Sequence, residues 1–95
     1  MDIEWTNRAL SDLESIHEFI AKDDRDAAAD IVDLIIEAVE THLSTQPDMG
    51  RPGRVDGTRE LVVPHSPCVV PYRVRRSIIE IVAVQHGAQQ WPATF

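Results

Sequence analysis

A chain of 95 residues, 43% hydrophobic and 26% charged, has the make-up of one small soluble globular domain spanning residues 1–95, and this excludes a multidomain enzyme. Its single core is too small to build a cleft between domains, so any site lies on the surface of a few elements. The net charge of -7 opposes a protein that simply coats nucleic acid.

Ile3 and Trp5 alternate with Asp2 and Glu4, which predicts a short N-terminal strand with Trp5 as a core anchor. Trp5-Thr6-Asn7 then supplies a cap for a helix over residues 7–21, whose apolar stripe is Ala9, Leu13, Ile16 and Ile20. After Lys22-Asp23-Asp24, a second stripe of Ala28, Val32, Ile35, Val39 and Leu43 predicts a longer helix that Gln46-Pro47 ends. Two helices with so short a connection form an antiparallel hairpin, each giving one apolar face to the core. Asp12, Glu14, Glu18, Asp30, Asp33, Glu37 and Glu40 then lie on its outside, where the simple reading is solubility.

The charge changes sign at Asp48. Residues 1–47 carry twelve acids against Arg8, Lys22 and Arg25, whereas residues 48–95 carry four acids against six arginines. Residues 48–58, DMGRPGRVDGT, read as a loop with no strand, bearing Arg51 and Arg54. Residues 59–64, 69–76 and 78–85 read as three antiparallel strands, with a tight turn at Arg76-Ser77. A two-residue turn there sets Arg73 opposite Glu80 and Val74 opposite Ile79. Continuous alternation puts Tyr72, Val74, Ile79, Ile81 and Ala83 on the helix-covered face, and Arg73, Arg75, Glu80, Val82, Val84 and His86 on the other. The expected fold is α+β: an N-terminal helical hairpin packed on a small antiparallel sheet of three to four strands.

Cys68 is the only cysteine, so one chain can form neither a disulfide nor a thiolate metal site, and a buried structural role is the simpler reading. No stretch of eighteen apolar residues or basic leader occurs, which predicts a cytoplasmic protein. There is no Gly-rich phosphate loop, metal-ligand spacing or Ser/His/Asp set, so no cofactor and no metal are expected. What remains is a cationic patch of Arg51, Arg54, Arg59, Arg73, Arg75 and His86 on one sheet face, suited to phosphates or acidic side chains. The bland readings are a surface pair for Arg73 with Glu80, solvated loop residues for Arg51 and Arg54, and a strand-end hydrogen bond for His86. His17 and His42 are ordinary helix residues, and His65 belongs to a Pro-flanked turn. Trp91 either caps an open core edge or stands exposed as an interface anchor, capping being the simpler role.

The order helix, helix, Gly-Arg-Pro loop, then Arg59-Glu60-Leu61-Val62-Val63, Val70-Pro71-Tyr72-Arg73-Val74 and residues 79–88, IEIVAVQHGA, resembles the RelE/ParE superfamily of bacterial toxins across almost the whole chain. The resemblance implies the toxin of a type II toxin–antitoxin operon, bound by a cognate antitoxin in a hetero-oligomer that reaches DNA only through the antitoxin. It also implies one of two activities: ribosome-dependent mRNA cleavage, as in RelE-like members, or poisoning of DNA gyrase, as in ParE-like members. Metal-free RNA cleavage needs groups that activate the 2'-hydroxyl, stabilise the phosphorane and protonate the leaving oxygen. Here Val69, Pro64 or His65, and Gln89 stand where RelE-like members carry arginines, and Lys22 is the only lysine. A reduced catalytic set of Arg59, Arg73 and His86 stays open, with His86 as acid or base. The ParE-like reading asks only for binding to a large protein, and Arg51, Arg54, Arg59, Arg73, Arg75, His86 and Trp91 are its candidate contacts with target or antitoxin. A third reading is a non-toxic, antitoxin-binding module that tunes its operon.

Overall fold

The computed structural model describes residues 1–87 and 89–95; Ala88, in the last quoted motif, lies outside the described residues. Its elements are β1 (Asp2–Trp5), α1 (Asn7–Ala21), α2 (Arg25–Glu37), a π-helical segment (Ala38–Leu43), β2 (Arg51–Pro52), β3 (Arg59–Val62), β4 (Cys68–Arg75), β5 (Ile78–Ile81) and β6 (Gln85–His86). The architecture is α+β as expected, but the sheet holds six short strands rather than three or four. They run in the order β1-β5-β4-β3-β2, with β6 also pairing β4. No helix among the described residues is long and apolar enough to cross a membrane.

Both helix starts are side-chain capped. Thr6 Oγ1 accepts from the Ala9 amide at 3.1 Å and donates to the Ile81 carbonyl at 2.8 Å, so the first cap also ties α1 to β5. Asp24 Oδ1 caps α2 by accepting from the Ala27 amide at 3.0 Å. The second helix departs from a regular α-helix at Ala38, where the Ser44 amide reaches five residues back to the Val39 carbonyl at 3.2 Å. Ala38, Val39 and Leu43 are all buried along this segment, so the stripe predicted for the second helix still faces the core. Glu40, exposed on this segment, accepts from the Trp5 indole N–H at 2.8 Å.

The register of β4 on β5 is the expected one, Arg73 opposite Glu80 and Val74 opposite Ile79, closed by a two-residue turn. Arg76 and Ser77 have φ of 52° and 65°. Hairpins of this kind normally place Asn-Gly there, and a side chain in the left-handed region costs on the order of 1 kcal/mol. Strand β1 pairs β5 in parallel, a long-range pairing that no local signal specifies. Residues 51–52, read as loop, form a two-residue edge strand against Arg59 and Glu60. Proline is tolerated there because its missing N–H faces away from the ladder.

The largest departure follows Ile81. Tyr72 pairs Ile81 and the Val82 amide donates to the Pro71 carbonyl at 3.1 Å, but Val69 then pairs Gln85 and Cys68 pairs His86. Ala83 and Val84 therefore share the space opposite Val70, which makes a β-bulge. The Val84 amide that leaves the ladder is taken by Asp12 Oδ2 of α1 at 3.0 Å. One extra residue inverts the alternation, so Val84 enters the core beside Cys68 and Val70, and His86 turns to the helix side. Their expected places on the opposite face are thereby corrected. Val82 does face away from the helices, yet it is buried, lining a small cleft with Phe95 of the C-terminal tail.

Candidate functional site

The sheet face turned away from the helices is organised by Glu60. This carboxylate is 2% exposed, at a strand position whose alternation points it outward from the core. Its Oε1 accepts from Arg51 Nε and Nη2 at 3.2 and 3.0 Å, and its Oε2 accepts from the Arg54 backbone N–H at 2.7 Å, with Arg54 Nε at 3.5 Å. The Trp91 ring lies 3.9 Å from the Arg54 guanidinium carbon, a cation–π stack that holds the C-terminal tail over this face. Trp91 is thus half-buried against Arg54 rather than on an edge of the hydrophobic core, and its indole N–H is buried with no hydrogen-bond partner among the described residues. Further along the face, Arg73 Nε meets Glu80 Oε1 at 2.6 Å, and Arg75 stands exposed.

Arg59 is on the opposite side, as the register partner of Tyr72. Its Nη1 donates to the Gly50 carbonyl at 2.8 Å and to the Asp48 carbonyl at 3.3 Å. His86 also faces the helices, across from Cys68, and its backbone N–H donates to Gln89 Oε1 at 2.7 Å. The expected single-face patch is thus divided: Arg51, Arg54, Arg73 and Arg75 share the outer face, while Arg59 and His86 lie on the helix side. Arg59, Arg73 and His86 are not brought together. Arg59 is turned inward by its pairing with the core-facing Tyr72, and His86 by the Ala83-Val84 bulge, for which a run of small and β-branched residues carries no signal. Sequence reasoning also passed over Glu60, although an acid inside an apolar strand that follows an Arg-rich loop is a legible sign of a buried clamp.

Between α1 and the β6 end lies an open groove of about 560 Å³. Ile16, Phe19, Ile20, Pro67 and Val84 make it apolar, while Asp12, Ser15, His86 and Gln89 give it polar points. Phe19 is 70% exposed on this rim.

Two buried groups make stability fall in alkali. Burial pushes the Cys68 thiol up, against a weaker opposing hydrogen bond from Ser66. Burial likewise raises the Tyr72 phenol, opposed first by the Gly50 hydrogen bond and then by the Arg59 charge, with Asp48 adding to the rise. A raised folded-state value means that the fold keeps protons the unfolded chain has lost. Stability is therefore complete below the unfolded values, about pH 8.5 for the thiol and about 10 for the phenol, and is lost as pH rises through the folded ones. Urea midpoints measured from pH 7 to 11 should decline from about pH 8.5, and Tyr72→Phe should remove the part of the decline that sets in near pH 10; a flat profile would contradict the burial of both groups.

The comparisons with known proteins agree with this geometry. The model of the ParE toxin of type II toxin–antitoxin systems, parDE, matches residues 3–91. The Sinorhizobium fredii protein Y4kP, whose name carries a provisional toxin assignment, is 50% identical over 90 residues, covering 95% of this chain and 92% of that protein. Toxin RelE2 of Caulobacter vibrioides is 32% identical over 85 residues, covering 90% of this chain and 93% of its own. Among solved structures, the chromosomal ParDE system of P. aeruginosa matches with a TM-score of 0.75 at 26% identity, over 90% of this chain and 95% of that one. The toxin–antitoxin complex RelBE2 of Mycobacterium tuberculosis shares the fold, with a TM-score of 0.67 at 21% identity over 90% and 95% of the two chains. A match over 3–91, carried by a helical hairpin on this sheet, shows that the chain belongs to the ParE toxin family of type II toxin–antitoxin systems.

Proposed function

We propose that this toxin arrests bacterial growth in the cytoplasm by poisoning DNA gyrase, and that a cognate antitoxin neutralises it in a hetero-oligomer. The observation that carries the reading is the dispersal of the cationic groups. Arg59 is spent on the Asp48 and Gly50 carbonyls, Arg73 is paired to Glu80 on the other face, and His86 lies beyond the bulge. Metal-free RNA cleavage needs such groups within reach of one phosphate, whereas holding a large protein in a non-productive state needs only a complementary surface. The ParDE likeness supports the same choice and supports an antitoxin as partner. For the antitoxin, the groove along α1 offers what an amphipathic segment requires: an apolar floor, an exposed Phe19 and polar groups at the edge.

The test is induced expression without antitoxin, followed within minutes by separate pulse labelling of DNA and protein synthesis. An early stop in DNA synthesis with filamentation is expected. An early stop in translation with cleaved mRNA would reverse the reading in favour of a ribonuclease, and unimpaired growth would leave a non-toxic, antitoxin-binding module.

A further inference from the structure

We propose that the tip of the β4–β5 hairpin, Arg75 with Arg76, seats this toxin on its target by entering an acidic patch of that protein's surface. The inference rests on the reading of the chain as a toxin that acts by binding a large protein. It starts from two independent features of the tip, its backbone and its charge.

The turn residues Arg76 and Ser77 both occupy the left-handed region, at φ 52° and 65°. A turn of this shape is most easily made by Asn-Gly, so a long cationic side chain is held here against the local preference. Strain of this kind is retained where the side chain is needed at that place. The charges at the tip are also uncompensated. Arg8, Arg51, Arg54 and Arg73 each have a carboxylate partner, and Arg59 is satisfied by carbonyls. Lys22 and Arg25 are exposed but sit among Asp23, Asp24 and Asp26. Arg75 and Arg76 are exposed without an ion pair among the described residues, and Asp2, the register partner of Ile78, pairs with neither. On an acidic chain the tip is therefore a local positive point.

The surroundings of the two arginines favour a protein over a nucleic acid. Val74 is 41% exposed and Ile78 is partly exposed, so the arginines stand in an apolar collar, the composition of an interface hot spot. A nucleic acid presents phosphates over a long span, and a chain of net charge -7 with two unpaired arginines at one tip has little to offer along that length. A few carboxylates on a protein surface need only the tip itself. The tip is also remote from the α1 groove: from Cys68 to Arg75 the strand runs about 23 Å, at about 3.3 Å per residue, so the two surfaces can be tested separately.

The experiment compares the wild-type chain, R75E/R76E and R76N/S77G for melting temperature, growth arrest, and binding to purified DNA gyrase holoenzyme and to duplex DNA alone, at several salt concentrations. Wild-type affinity for gyrase should fall as salt rises. R75E/R76E should melt like wild type but lose about 100-fold or more in affinity and lose growth arrest. R76N/S77G relaxes the turn, so it should melt higher and yet bind about tenfold more weakly, a stabilised protein that functions worse. Gyrase binding and growth arrest by R75E/R76E at the wild-type level would overturn the proposal. If the wild-type chain arrests growth without binding gyrase, the gyrase reading fails; loss of arrest in R75E/R76E then still supports the tip, and retention overturns it. Wild-type binding to duplex DNA alone that R75E/R76E abolishes would overturn the protein partner in favour of nucleic acid.

Discussion

Tyr72→Ala should leave little folded protein at 37 °C. Tyr72 is fully buried at the centre of β4, flanked by Arg59 of β3 and Ile81 of β5. Truncating a buried aromatic costs about 3–5 kcal/mol through lost burial and the cavity left behind. The hydroxyl adds to this: it donates to the Pro47 carbonyl at 2.7 Å and accepts from the Gly50 amide at 2.9 Å, so its removal orphans two backbone groups. The total approaches the 5–15 kcal/mol of stability that a domain of this kind has altogether. Tyr72→Phe isolates the hydroxyl and should cost about 1–3 kcal/mol in urea titrations, with an unchanged slope. A phenylalanine variant as stable as wild type would mean that the 47–50 corner is held by something else. Gly50→Ala attacks the same contact from the other side, since a Cβ there would lie 2.6 Å from Tyr72 Cε1 and its hydroxyl and 3.0 Å from the Glu60 carbonyl. The functional consequence is geometric, because this corner delivers Arg51 into β2 and so to Glu60.

Glu60→Ala is expected to destabilise by about 3 kcal/mol, the lower end of the range for breaking a buried ion cluster. The value sits low because both arginine side chains are about half exposed and water can take over their charge. The Arg54 backbone N–H, which donates to Glu60 at 2.7 Å, is the group that loses most. Glu60→Gln keeps the shape but can turn an N–H toward a donor, and about 1–2 kcal/mol should be lost. The same change has an optical readout. With Arg54 released, the stack at 3.9 Å on Trp91 loosens, so in a Trp5→Phe background the remaining indole emission should shift to longer wavelength. Unchanged emission together with unchanged stability would show that the carboxylate is not what holds the tail to the sheet.

Much of this molecule is local and therefore legible. Helix α1 spans the residues its stripe and cap predict, because a capping threonine and a periodic apolar face act within one segment. The β4–β5 register follows from the pleat and a two-residue turn, again within a few residues. The family resemblance rested on the same segments, and it holds over residues 3–91.

The parts that decide how the site is arranged are not local. Strand β1 finds β5 from 76 positions away and runs parallel to it, because the fold, rather than any turn, brings them together. The π-helical segment, with Val39 and Leu43 buried in the core, has no mark in the apolar stripe, which reads as one regular helix. The bulge at Ala83-Val84 depends on Asp12, a residue of α1, to take the amide that the ladder releases. That one inserted residue sends His86 to the helix side and leaves the arginines of the hairpin behind. From the chain alone came which residue types are present, their periodicity and the family they resemble, since these depend on neighbours in sequence. Only the tertiary structure decided which charges share a face and which are already neutralised, because both depend on distant groups that meet after folding.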